Sequence, residues 1–453
     1  GTLMGQLIYR QIFNDKSYNK LSVVGSKYFS AQTDFAGTDA ARVTNDINYL
    51  KLQELFTTSP NTQLKIDLGL SSILYDLAPG TQEPSGEDSD ITPKTIESEK
   101  GIESAVFGNV EYSVSPALTI SAGLRGVLYQ YIGPKSVYEY EDPSYPTAET
   151  ISGITTYDKG KIIASHSSFE PRLSVRYRLS AETSLKLGYS RTAQFINQIF
   201  NTDAPTPNSQ WQLSTNYLDP FRSHNLSLGY FRNFIDNLWE TSIEVYGRYI
   251  DHLYDYRDFA DLVVNDHIET ELLSGIGRTY GAELSIKKKS GKVNGWFSYT
   301  YAKSERQIEG INDDDWYPSN FDKTHDASVI FNYQPNRRNT LTVNFSYSTG
   351  RPTTPPIGNY KIQNGLVIPI YSARNQYRIP DYHRLDVAYT IGKGYKRDKK
   401  IQTSWTLSVY NVYARKNAFS VFFTQGEFRR VQANKLAILG SAIPSVTFNM
   451  EIL

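Results

Sequence analysis

The sequence predicts an all-β fold, a transmembrane antiparallel up-and-down β-barrel. Three observations lead there: strict two-residue alternation in many short runs, charges that recur on the polar side of that alternation, and connections that are by turns short and long. The stretch "NTLTVNFSYSTG", Asn339 to Gly350, shows the first. Leu341, Val343, Phe345 and Tyr347 share one face, and Thr342, Asn344 and Ser346 the other. A soluble sandwich buries the apolar face in a core and wets the polar one. A membrane barrel turns the apolar face to lipid and keeps water inside.

The pattern recurs along the chain in "TQLKIDLGL", "ALTISAGLR", "PRLSVRYRL", "TSLKLGYS", "HNLSLGYF", "ETSIEVYGRY", "GAELSIKK", "NGWFSYTY" and "HRLDVAYT". Each run is long enough to cross a bilayer obliquely. The faces opposite the apolar residues decide the medium. Lys65, Asp67, Arg125, Arg172, Arg176, Arg178, Lys186, Glu244, Arg248, Glu283, Lys287 and Asp386 all stand between apolar neighbours, on the side that points inward. A narrow, dry barrel could not hold so many charges, because burying an unpaired charge is very costly. A wide, wet or plugged lumen can.

Connections between these runs keep parity. Short ones fall at Ser113 to Ala117, Ser180 to Thr183, Phe234 to Asn237, Ser290 to Lys292, Pro335 to Asn339 and Tyr395 to Lys400. Long ones fall between them, at Pro79 to Lys100, Gly133 to Ser165, Phe195 to Phe221, Asp255 to Ser274, Ser304 to Phe321 and Gly350 to Asp381. Short periplasmic turns alternating with long extracellular loops mark outer-membrane barrels. Reading "QTSWTLSVYNVYARKNAFSVFF" as one long protruding strand, the count is about seventeen. That number is odd, and large outer-membrane transporters have about 22 strands. The expectation is one barrel over residues 1–453, incomplete at its amino-terminal side by roughly five strands, with no plug domain in this chain.

Composition narrows the classes. Tyr occurs 34 times and Phe 21 times, which suits the aromatic girdles of a large barrel. Lys and Arg balance Asp and Glu at 47 each, so no basic field points to nucleic acid. There is no Cys, which excludes disulfide and thiolate chemistry. No run of eighteen apolar residues occurs, so no helix of this chain is expected to span a bilayer. The opening "GTLMGQLIYRQIFND" lacks the basic and apolar regions of a secretory signal.

Five stretches carry a resemblance: "GRTYGAELSIKK", "NFDKTHDASVIFNY", "TGRPTTPP", "RIPDYHRLDVAY" and "SVYNVYARKN". In their order and spacing the chain resembles the carboxy-terminal barrel of TonB-dependent outer-membrane receptors, over essentially its whole length. The resemblance implies a bacterial outer-membrane location, contact with outer-membrane lipid, and import of a bulky nutrient such as a siderophore, glycan or peptide. It also implies an inner-membrane energy-coupling protein as partner, acting through a segment that is not in this chain. Two departures stand out. The plug and coupling segment of the family are missing from the sequence, and the end is Ile452 and Leu453 where the family commonly ends on an aromatic residue. A passive pore, or a scaffolding barrel that binds other outer-membrane proteins, are the alternatives.

Catalytic and metal chemistry find little footing. His166, His224, His252, His267, His325 and His383 do not fall at a ligand spacing, and the acidic stretches "INDDDWYPSN" and "SGEDSDIT" lack the ordered spacing of a calcium loop. Ser223 beside His224, and Asp322 near His325, would form a catalytic group only with a third partner and an oxyanion site; solvated rim residues explain both pairs more simply, so no enzyme, cofactor or metal site is expected. Loop aromatics are the candidates for ligand contact, because they offer rigid stacking faces with a polar tip. The six selected are Trp211, Tyr217, Tyr254, Tyr256, Trp316 and Tyr317; Tyr138, Tyr140 and Tyr145 lie in a further long loop.

Overall fold

The computed structural model describes the chain except at residues 35–36, 200–209, 362–366, 393–400, 426–430 and 453. Its main sheet has 19 strands, of which Lys94–Thr95 and Tyr317–Pro318 are two-residue additions, leaving seventeen long strands as the wall. In chain order these are β1 (Thr2–Asn14), β2 (Ser17–Thr33), β3 (Ala41–Thr58), β4 (Leu64–Pro84), β5 (Glu99–Ser113) and β6 (Leu118–Ile132). Then come β7 (Ile162–Arg178), β8 (Thr183–Gln194), β9 (Phe221–Phe234), β10 (Trp239–Tyr256), β11 (Leu272–Lys288) and β12 (Val293–Ile308). The last five are β13 (His325–Asn336), β14 (Asn339–Ser348), β15 (Tyr382–Ile391), β16 (Ile401–Tyr410) and β17 (Ile443–Ile452). Each pairs antiparallel with its neighbour in the chain, the up-and-down order the alternation predicts.

Register carries the two faces across strands. Val343 on β14 stands opposite Phe331 and Val387, a row that faces lipid. One step away, Asn344 stands opposite Ile330 and Asp386 on the inward side. The same alternation leaves Leu70, Val106 and Leu226 exposed on the outer surface, where lipid covers them. Among the described residues, β1 pairs only with β2 and β17 only with β16, so no ladder joins the two edges.

The predicted parity holds at every described connection. Turns at one end are short, and the long loops at the other carry extra hairpins, such as Lys135–Tyr140 with Ile151–Tyr157. The expected turn from Tyr395 to Lys400 lies outside the described residues. One expectation needs correction: residues 402–423 are not one strand. The wall strand ends at Tyr410, and Ala418–Gln425 belongs to a separate hairpin with Val431–Ala437. The break is at Asn411, which has φ of 55° and is buried. Its side-chain amide donates to the carbonyls of Arg415, Leu439 and Ser441 at 3.0, 3.4 and 3.4 Å. Asn adopts this left-handed conformation more readily than a branched residue, and the three carbonyls hold it there.

Candidate ligand-binding mouth

Near the extracellular end, the inner face of β4 to β6 changes character. Ile73, Tyr75, Ala105, Val127, Tyr129 and Tyr131 replace the charges found lower down, and all are buried. They are covered because the connection between β8 and β9 folds inward as a hairpin, Ile196–Ile199 paired with Gln210–Leu213. Leu213 is fully buried there, and the Phe195 ring stacks on Tyr129 with centroids 4.7 Å apart.

Polar groups fasten the hairpin to the wall. Glu99 of β5, itself buried, accepts hydrogen bonds from Gln212 Nε2 at 2.5 Å and from the Leu213 backbone N–H at 3.2 Å. Glu170 of β7 accepts the Ala193 N–H at 3.0 Å, and His166 Nε2 donates to the Thr215 carbonyl at 2.7 Å. Beneath these, Arg125 bridges Glu103 at 2.5 Å and Glu170 at 3.5 Å, while the Tyr75 hydroxyl donates to Glu103 at 2.9 Å. Charged acceptors make the stronger hydrogen bonds, so the seam joins apolar packing to charge-assisted anchors.

Beside the hairpin lies a cavity of about 360 Å³. Aromatic rings of Trp211, Phe221, Tyr254 and Tyr256 line it, together with the amides of Asn197, Gln198, Gln212 and Asn320. Its charged groups are spoken for. Asp255 receives Arg374 at 3.0 Å, Arg306 at 3.5 Å and the Tyr317 hydroxyl at 2.7 Å, and Arg374 also reaches Asp258 at 2.7 Å. The Arg374 guanidinium lies 4.6 Å from the centroid of the Tyr256 ring. This node ties together three extracellular connections that are far apart in sequence.

Of the six aromatics selected from sequence, Trp211, Tyr254 and Tyr256 meet in this cavity. Tyr317 is buried behind it, positioning Asp255. Tyr217 lies apart, donating to the Tyr138 carbonyl at 2.9 Å and packing edge-on against Tyr140. Tyr140 in turn donates to Glu269 at 2.7 Å; burial raises the Glu269 pKa above the usual carboxylate range, against the opposing pull of that bond. Trp316 sits under the Arg278 guanidinium at 4.0 Å and does not line the cavity. Sequence reasoning missed the amides and the Asp255 node. "QFINQIF" and "SQWQL" hold a local density of Gln and Asn that could have flagged the amides, whereas Arg374 is 119 residues from Asp255 and left no signal.

Farther down, a second opening of about 740 Å³ is lined by Arg172, Ser190, Asn225, Tyr246, Arg248 and Asn109. Arg172, Ser190, Asn225 and Arg248 form one row across β7 to β10, so the opening is a stretch of the inner wall itself. Arg248 donates to Asn225 at 2.5 Å.

Comparison with solved structures places this architecture. The ferripyoverdine receptor of the Pseudomonas aeruginosa outer membrane, bound to ferripyoverdine, superposes with a TM-score of 0.59 at 13% identity, covering 99% of this chain and 55% of the receptor. The unliganded ferric citrate transporter FecA gives 0.63 at 12%, covering 99% and 60%. The FrpB iron transporter from Neisseria meningitidis gives 0.59 at 13%, covering 99% and 63%. The chain thus spans between half and two thirds of these proteins and shares their fold. No curated protein matches the sequence. The family described as TonB dependent receptor-like, beta-barrel, matches residues 2–412, and the chain belongs to these receptors of the bacterial outer membrane.

Proposed function

We propose that this wall serves a receptor that takes up a bulky nutrient through the outer membrane, with the cavity beside the inward hairpin as the first seat of the ligand. The observation that carries the reading is the convergence of Trp211, Tyr254 and Tyr256 with four amides at the mouth of a polar lumen. A volume of about 360 Å³ accommodates one or two rings of a larger molecule. Amides donate and accept at once, and the charges nearby neutralise each other, so the seat favours ring-bearing ligands rich in hydroxyl or amide groups. Ferric chelates, as named for the solved neighbours, and glycan fragments both carry such groups. Family membership supports an inner-membrane energy-coupling protein as partner, acting through a segment outside this chain. A hairpin folded into the mouth against β4 to β6 favours a receptor over a passive pore.

The test is ligand-dependent protection of the extracellular loops from proteolysis, run with ferric chelates, oligosaccharides, peptides and corrinoid vitamins. One class should protect the segment from Phe195 to Phe221, and Trp211→Ala with Tyr254→Ala should abolish that protection. Protection that is unchanged in the double variant would place the seat elsewhere.

A further inference from the structure

The outer surface carries a feature that contact with acyl chains alone does not explain. Climbing the outward face of β8 and β9 from the membrane interior, the rows read Leu187 and Leu228, then Tyr189 and Leu226, then Arg191 and His224, and finally Arg222 opposite Ala193. Apolar, then aromatic, then cationic is the order of acyl chain, interface and headgroup in a membrane leaflet. The two arginines are neighbours: Arg191 stands directly opposite His224, and Arg222 is two residues along on the same face, so the pair are diagonal partners about 7–8 Å apart at the backbone.

Like charges this close repel unless an anion lies between them. Neither has a carboxylate partner among the described residues. Asp251, directly across from Arg222, accepts the Tyr249 hydroxyl, and Glu305, in the row that runs from Arg191 and His224 through Tyr249 and Arg278, is held by Arg278 at 2.8 Å and Lys303 at 2.7 Å. Arg191 makes one long contact, from Nη1 to the Phe169 carbonyl at 3.4 Å. The Nε atoms of Arg191 and Arg222 are both buried and unpartnered, so their stems pack on the wall. The Tyr189 hydroxyl lies 3.0 Å from His224 Nδ1; with that nitrogen accepting, His224 Nε2 is a third donor on this face.

We infer that Arg191, Arg222 and His224 form a binding site for the phosphate of an outer-leaflet membrane lipid. Two guanidinium forks and an imidazole N–H match the oxygens of one phosphate, and the leucines below take the acyl chains. The lipid would brace the wall beside the connection that forms the inward hairpin, since β8 and β9 flank it on either side.

The intact protein in detergent, titrated with diphosphoryl lipid A, with the same lipid stripped of phosphate, and with inorganic phosphate, tests this by native mass spectrometry. Diphosphoryl lipid should be retained about tenfold more strongly than the stripped form, and Arg191→Gln with Arg222→Gln should bring the two to parity. Arg191→Lys with Arg222→Lys should restore part of the difference. Equal retention of both lipids by the wild type, unchanged preference in the Gln variant, or displacement of the lipid by millimolar inorganic phosphate would each overturn the assignment. If the double Gln variant loses its heat-dependent gel shift, Arg222→Gln set against Arg222→Lys supplies the same readout: a preference lost in the first and kept in part by the second supports the site, and an equal preference in both overturns it.

Discussion

Two parts of the inner wall follow the same alternation and yet differ in kind. The upper face of β4 to β6 is aromatic and dry, whereas the row from Arg172 to Arg248 across β7 to β10 is cationic and open. Both point inward. What separates them is the covering: the hairpin that ends in Leu213 seals the first and leaves the second to water. Inward position in a large barrel therefore sets no medium by itself, and loops decide locally which part of the lumen becomes a core.

The strongest way to break the comparison is to unseat the hairpin. Leu213→Ala removes a fully buried side chain and should cost about 2–5 kcal/mol of docking stability, read as faster proteolysis between Phe195 and Phe221 with the barrel intact. Next, Val343→Arg should cost about 2–4 kcal/mol in a refolding assay, and Asn344→Arg much less. Equal costs would dissolve the distinction between inner and outer faces on which the comparison rests.

A smaller effect should come with pH. Glu269 is half-buried in the loop layer above the dry face, and desolvation there raises its folded pKa. Its favourable contribution is complete below the ordinary carboxylate pKa and is lost as pH rises through the raised value. Proteolysis of the segment Asp255 to Ser274 should accordingly quicken on going from mildly acidic to neutral pH, and Glu269→Gln should flatten that dependence. Smallest of all, Arg172→Ala should change stability by no more than about 0.5 kcal/mol, because that side chain lines open lumen. A larger loss would mean that the cationic row is packed against something in the intact protein.

The wall was legible because its signals are local. Alternation across "NTLTVNFSYS" and the parity of turns need only a few neighbouring residues to be read, and they give seventeen strands and their faces. The break at Asn411 was not legible, since the carbonyls that hold it include Leu439 and Ser441, on the far side of a hairpin. The site divides the same way. Aromatic residues in long loops are visible in the sequence, but which of them converge depends on contacts such as Gln212 with Glu99, 113 residues apart. Trp316 had the same composition and loop setting as Trp211, and only the fold puts one under Arg278 and the other in the cavity.

The neighbour-to-neighbour pairing of the wall has a consequence for the order of assembly. Every wall ladder closes between consecutive strands, so the sheet can grow one hairpin at a time with little loop-closure entropy per step. The mouth has no such economy. Its fasteners, Gln212 to Glu99 and Arg374 to Asp255, span 113 and 119 residues and can form only when the strands that carry them already stand in place. The mouth is therefore expected to be the last part to form and the first to open, a locally unfolding unit set on a persistent frame.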